Sequence, residues 1–280
     1  MILMYQKKSF LDFVWVNKAM IFDTHIHLND DCYNNDLDKI IKEANEIGIN
    51  KFLCIGFDLN SSKKAVQIAK NFTGVFSSVG IIPTERKQYN NNSIIDLEKI
   101  IKEGKKIKAI GEIGLDYYWE KEDYIKETQK KMFIEQINLA NKFNLPISIH
   151  ARDSLHDVLE ILKSHPVKQS GIMHCYSGSL EMAREFVKLG YKIAFGGVLT
   201  FKNSRIVKEV FKGLNLEDVV FETDAPYLSP EPYRGKTNMP KYILNSLKYA
   251  ADLRNIELNK LEEQTYLNSL NILHVEKNEN

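Results

Sequence analysis

The chain has 280 residues, 44% of them hydrophobic and 27% charged, enough to bury a full core as one large domain or two smaller ones. A formal net charge of +1 excludes the broad basic footprint of a protein that coats nucleic acid, so any grip on phosphate has to be local. Three cysteines without CxxC spacing, Cys32, Cys54 and Cys175, exclude a disulfide scaffold and fit a reducing, cytoplasmic setting, and no apolar run approaches the roughly 20 residues that span a bilayer.

Residues 1–19 are read as an N-terminal extension. Their apolar stretch is interrupted by Lys18 and lacks a small-residue cleavage site, so they do not form an export signal. Met20 directly precedes the first strand and can serve as an alternative initiator.

From there the pattern alternates. Residues 20–25 form the first strand and run into His25-Ile26-His27. Residues 36–47 place Leu37, Ile40, Ile41, Ala44 and Ile47 on one helical face and stop at Gly48. A strand at 51–57 follows, then a helix capped by Ser61 or Ser62 through Ala69, a strand at 75–82, and a helical stripe at 94–101. Strand 107–112 ends on Glu112, and the long helix 123–143 leads to strand 146–150, which ends on His150. Helix 154–162, strand 171–174 ending on His174, helix 179–189, strand 191–195 and helix 203–211 come next. Strand 218–222 leads to Glu222 and Asp224, and two helices, 240–253 and 258–273, complete the barrel unit 20–275 ahead of a polar tail, 276–280.

Eight short strands rich in Ile, Val and Phe, regularly separated by helices and without a Pro/Gly/Ser linker, describe a single-domain (β/α)8 barrel in the α/β class. A doubly wound fold would place a glycine-rich phosphate turn after the first strand, where this chain has His-Ile-His.

In such a barrel the C-terminal strand ends converge on one face. His25, His27, Glu112, His150, His174 and Asp224 all fall there. Each has a bland reading as a satisfied core histidine, an ion-pair carboxylate or a turn cap, but six coincidences at strand ends point to a metal centre. Four imidazoles and two carboxylates are about what two divalent ions require, with Glu112 as the shared bridge and Asp224 as acceptor of a proton from the attacking water. That is a hydrolase design. Arg152 and the run holding Arg234, Lys236 and Asn238 supply donors of the kind that grip phosphate, and Tyr117, Tyr118 and Trp119 can stack on a base.

Together these segments, among them Phe22-Asp23-Thr24-His25-Ile26-His27, Gly111-Glu112-Ile113-Gly114-Leu115-Asp116-Tyr117, Glu222-Thr223-Asp224-Ala225-Pro226 and Arg234-Gly235-Lys236-Thr237-Asn238, resemble the TatD-type metal-dependent deoxyribonucleases of the amidohydrolase superfamily. The resemblance runs from about Met20 to Leu273. It implies a TIM-type barrel, a two-metal site built by the six residues above and holding Mg2+, Mn2+ or Zn2+, and exonuclease-type hydrolysis of DNA, single strands or 3′ ends, with no membrane or obligate protein partner. One departure is visible: Gly80-Ile81-Ile82-Pro83 stands where that family often has Gly-Val-His-Pro. Two other functions compete. One is an amidohydrolase acting on a small molecule or ester, in which a lysine would often replace Glu112; the other is a metal-binding protein without catalysis.

Overall fold

The computed structural model describes residues 20–279; the extension 1–19 lies outside the described residues. The chain runs β1 (Ile21–Ile26), α1 (Leu37–Glu46), β2 (Ile49–Cys54), α2 (Leu59–Asn71), β3 (Val75–Val79), α3 (Ser93–Glu103), β4 (Ile107–Asp116), α4 (Asp123–Phe143), β5 (Ile147–Arg152), α5 (Leu155–Ser164), β6 (Gly171–Met173), α6 (Leu180–Lys188), β7 (Lys192–Phe195), α7 (Arg205–Gly213), β8 (Val219–Phe221), α8 (Ile243–Arg254) and α9 (Leu258–Ile272). All neighbouring strands pair in parallel in the order β1 to β8. Each expected strand is present at its place, displaced by a few residues at its ends.

The sheet is nearly closed. Between β1 and β8 the connection is made at the C-terminal ends, where the Asp224 N–H donates to the His25 carbonyl (2.9 Å) and the His27 N–H to the Ala225 carbonyl (2.8 Å). The buried Asp23 carboxylate adds two bonds across the same seam, from the Thr223 N–H (2.9 Å) and hydroxyl (2.6 Å). At the other end of the seam α9 lies against both strands, and the Asn268 amide donates to the carbonyls of Leu216 and Val219, 2.7 Å each.

Two apolar layers result. The larger one joins the outer strand faces to the surrounding helices, as amphipathic helices on a parallel barrel require. The smaller one fills the barrel floor: Phe22, Leu53, Phe76, Ala109, Ile172, Ala194 and Val220 meet Tyr266, Leu270 and Leu273 of the C-terminal segment. The expected polar tail docks beneath this floor. Lys108 pairs with the Glu279 carboxylate (2.6 Å), and the buried Lys51 amine reaches the Glu279 carbonyl.

The start of α2 differs from the expectation. Its cap is Asp58, which accepts from the Ser61 N–H (2.6 Å), while the Ser61 hydroxyl accepts from the Asp58 N–H (2.8 Å). Ser61 therefore acts from inside the first turn as the returning half of a capping box. Ser179 caps α6, accepting from the Met182 N–H (3.3 Å).

Candidate metal centre

The inward-facing residues of a strand alternate, and that parity decides which side chains reach the barrel mouth. On β6 and β8 the floor residues Ile172 and Val220 are followed two positions later by His174 and Glu222. On β1 and β4 the step is three, from Phe22 to His25 and from Ala109 to Glu112. The extra residue is absorbed by irregular pairing: Asp23 to Ile26 faces Phe52 to Cys54, and Ile110 to Ile113 faces Ile147 to Ile149. Both are bulges that re-aim a side chain. Without them Glu112 would fall on the outer face that Ile110 and Ile113 occupy. The β4 bulge also needs Gly111, because a Cβ there would lie 2.7 Å from Ser148 Cβ and 2.8 Å from its carbonyl oxygen.

Asp224 reaches the mouth from the loop after β8 with φ +55°, a conformation Asp tolerates better than most residues. Its own N–H, held by the His25 carbonyl, fixes that geometry.

The side chains so placed surround one point. His25 Nε2 lies 3.6 Å from Glu112 Oε2 and 3.9 Å from Asp224 Oδ1; His27 Nε2 lies 3.4 Å from Asp224 Oδ1; His174 Nε2 lies 4.0 Å from Glu112 Oε1 and 3.9 Å from Asp224 Oδ1. His25 and His174 stack at 3.4 Å between ring centroids. Three groups of donors fall within 4.8 Å of one another: His25, Glu112 and His174; His25, His27 and Asp224; and His174, Cys175 and Glu222. Cys175 thus borders the site, and its N–H donates to Glu222 (2.8 Å).

The second nitrogen of three imidazoles is held from behind. Ser148 Oγ faces His25 Nδ1 at 3.3 Å, Glu222 faces His174 Nδ1 at 2.9 Å, and Asp116 faces His150 Nε2 at 2.9 Å. Such outer partners fix ring orientation at metal sites. His150 places its other nitrogen 3.0 Å from Glu112 Oε1, so both its nitrogens meet carboxylates.

The residues fit a divalent cation. His25 Nε2 is buried without a hydrogen-bond partner among the described residues, facing two carboxylates across distances too long for hydrogen bonds. Nitrogen and carboxylate oxygen donors of this kind suit a first-row metal ion.

Electrostatics keep the carboxylates ionised. Burial works against a charge on Glu112, but the hydrogen bond to His150 and the nearby imidazoles of His25 and His174 outweigh it and hold the group well below the usual carboxylate range. Asp224 is lowered too: burial opposes its charge, and His174 and His27 outweigh that. Burial likewise disfavours imidazolium at His150 and His174, yet Asp116 and Glu112 raise the first to about 9, and Glu222 and Asp224 raise the second to about 10. His25 moves the other way, lowered by burial and by the stacked His174.

The expected substrate residues separate. Arg152, exposed at the end of β5, stacks with its guanidinium 3.8 Å from the Tyr118 ring centroid and 5.4 Å from that of Trp119. Arg234 and Lys236 are exposed on the β8 loop, with Arg234 4.1 Å above Phe201. Asn238 is fully buried. Its amide donates to the carbonyls of Thr223 (2.8 Å) and Tyr227 (2.7 Å), so it braces the loop that carries Asp224 and has no donor free for a phosphate, a correction to the substrate-binding expectation.

Asp116 is the functional residue that sequence reasoning missed. Its position four residues beyond Glu112 on the same strand, hence on the same face, was the available signal. Its second oxygen accepts from the N–H groups of Tyr118 (3.0 Å) and Trp119 (3.4 Å), which ties the aromatic loop to His150.

Comparison with known proteins agrees with this geometry. The family model described as TatD related DNase matches residues 22–274. The chain is 35% identical over 257 residues to the uncharacterized metal-dependent hydrolase YabD of Bacillus subtilis, covering 91% of this chain and 100% of the relative. It is 33% identical to an uncharacterized metal-dependent hydrolase of Buchnera aphidicola, covering 91% and 96%. Among solved structures, the TatD homologue YjjV of Escherichia coli K12 superposes with a TM-score of 0.87 at 26% identity, over 92% of this chain and 99% of that one.

Proposed function

The chain belongs to the TatD-related DNase family and is a metal-dependent hydrolase, and from that premise we propose that it cleaves DNA phosphodiester bonds, acting on single strands or 3′ ends. The observation that carries this reading is the buried, partnerless His25 Nε2 at the centre of converging histidines and carboxylates.

In this reading His25, His27, Glu112, His150, His174 and Asp224 hold two divalent ions, Mg2+, Mn2+ or Zn2+. When bound, such ions polarise the phosphoryl oxygens and acidify a water molecule. The chain's own residues do the rest. Glu112, ionised and flanked by His25, His150 and His174, would offer its carboxylate oxygens to the ions. Asp224, ionised and slightly exposed at the mouth, accepts the proton of the attacking water. Asp116, Glu222 and Ser148 keep the imidazoles aimed inward. Arg152, presented by its aromatic stack, neutralises charge that develops on the phosphoryl group.

The test is hydrolysis of end-labelled single-stranded DNA by purified protein supplied with each ion or with chelator. Metal-dependent shortening of the strand is the expected result. Cleavage of a neutral amide or ester panel with DNA left intact would replace this reading by the amidohydrolase one; bound metal with no turnover of any substrate would leave a metal-binding protein.

A further inference from the structure

We propose that the groove between the β8 loop and α7 is a phosphate-binding track that holds the nucleic acid strand leading away from the metal centre. The inference rests on the phosphodiesterase reading above and adds where the substrate's length is bound.

The two loops that form the groove are joined at the barrel mouth. The Glu231 N–H donates to Thr200 Oγ1 (2.8 Å), and Gly197 packs so closely that a Cβ would lie 1.9 Å from the Leu228 carbonyl oxygen. Beyond this joint a groove of about 640 Å³ opens between Phe201, Arg205, Ile206 and Arg234. A second hollow of about 650 Å³ continues it along α7, past Lys202, Lys208 and Lys212. The two share Arg205 and Glu209 as lining residues, so they form one path. It starts on the loop that carries Asp224 and follows a helix about 13 Å long.

Five cations line this path against the single carboxylate of Glu209, on a chain whose net charge is +1. Some cations on other helices are paired, as Lys163 is with Glu160 on α5 (3.0 Å) and Lys188 with Glu185 on α6 (2.6 Å). Lys202, Arg205, Lys212 and Arg234 make no ion pair among the described residues. Unpaired cations at close spacing repel one another, and a polyanion removes that cost while releasing its own counterions.

The groove also carries flat and apolar surface. Phe201 is half-buried beneath the Arg234 guanidinium, and Ile206 is 56% exposed. Aromatic faces among cations suit an unpaired strand, whose bases stack without being read. The occupant is therefore a single strand held by its phosphates.

The test compares the parent with Lys202→Gln/Arg205→Gln/Lys212→Gln, all surface positions, and with a distant control of equal charge loss, Lys42→Gln/Lys99→Gln/Lys260→Gln. Two substrates are used with the metal that supports turnover: a long single-stranded oligonucleotide, and bis(p-nitrophenyl) phosphate, a diester too short to enter the groove. Binding is read separately from chemistry by fluorescence anisotropy of a phosphorothioate oligonucleotide across a salt series. The groove variant is expected to lose about tenfold in KM and Kd for the oligonucleotide and about two units of salt slope. Its kinetics on the short diester, and both readouts of the control, should match the parent. Parent-like binding and KM in the groove variant, or an equal loss in the control, would overturn the track. A parent that cleaves neither diester yet binds the oligonucleotide through these cations would overturn the assigned reaction and uphold the track.

Discussion

The floor and the mouth of this barrel are built on the same strands, two or three residues apart, and they obey opposite rules. At the floor, Phe22, Ala109, Ile172 and Val220 close against Tyr266, Leu270 and Leu273 in a dry plug. At the mouth, the next inward positions are His25, Glu112, His174 and Glu222, buried almost as deeply but titratable. Apolar groups at the floor stabilise by leaving water. Charged groups at the mouth are costly to bury and persist because they are paired with one another and poised for a cation. The lesson is that stability and chemistry are segregated along the barrel axis, so each can be perturbed separately.

The sharpest test of that segregation is Glu112→Ala. It removes the carboxylate that touches three imidazoles, and kcat is expected to fall by about a thousandfold or more, with loss of bound metal by elemental analysis. The metal-free variant should still fold, with a lower melting temperature because His150 and its neighbours lose a buried carboxylate partner. Retained turnover would break the assignment of Glu112 to the metal centre.

At the floor, Leu270→Ala should do the reverse. A buried leucine lost from the plug costs about 3 kcal/mol in chemical denaturation, while kcat measured well below the melting temperature stays at the parent value. A large drop in kcat would show that floor packing sets the geometry of the mouth.

Asp116→Asn probes the layer between. The carboxylate orients His150 and the Tyr118–Trp119 loop together, so the variant should lose about 10- to 100-fold in metal affinity or kcat by titration and kinetics. An unchanged variant would mean that the Glu112 contact alone positions His150.

Smaller effects belong to the rim. Arg152→Ala should act on kcat, and Arg234→Ala should raise KM severalfold and flatten the salt dependence of kcat/KM; identical profiles for both across a salt series would remove the distinction between them. Deleting residues 1–19 should change melting temperature and specific activity least, within about twofold for activity, because the first strand and its histidines begin after them.

The sequence carried the barrel clearly because buried parallel strands are marked by composition and the intervening helices by period, and these signals are local. It also placed His25, His27, Glu112, His150, His174 and Asp224 at one mouth. The structure brings His25, His27, Glu112, His174 and Asp224 around a common point and sets His150 beside them, between Glu112 and Asp116. What it could not carry is parity. His25 and Glu112 face inward only because a bulge adds one residue to β1 and to β4, and a bulge depends on the neighbouring strand's register. Asn238 went astray for a similar reason: an amide in a polar run reads as a surface donor until two carbonyls from distant turns are seen to consume it. At α2 the true cap, Asp58, lay three residues ahead of the serine that reads as one.

The seam between β1 and β8 has a consequence for biogenesis. The two backbone bonds that join them tie His25 and His27, at the end of the first strand, to Asp224 and Ala225 about 200 residues later. During synthesis from the N-terminus, the first histidine pair leaves the ribosome long before its carboxylate partner exists, and the floor beneath it stays open until Leu270 and Leu273 arrive. A nascent chain therefore carries no complete donor set. The full donor set, and with it the full affinity for an ion, can form only once Asp224 has been made.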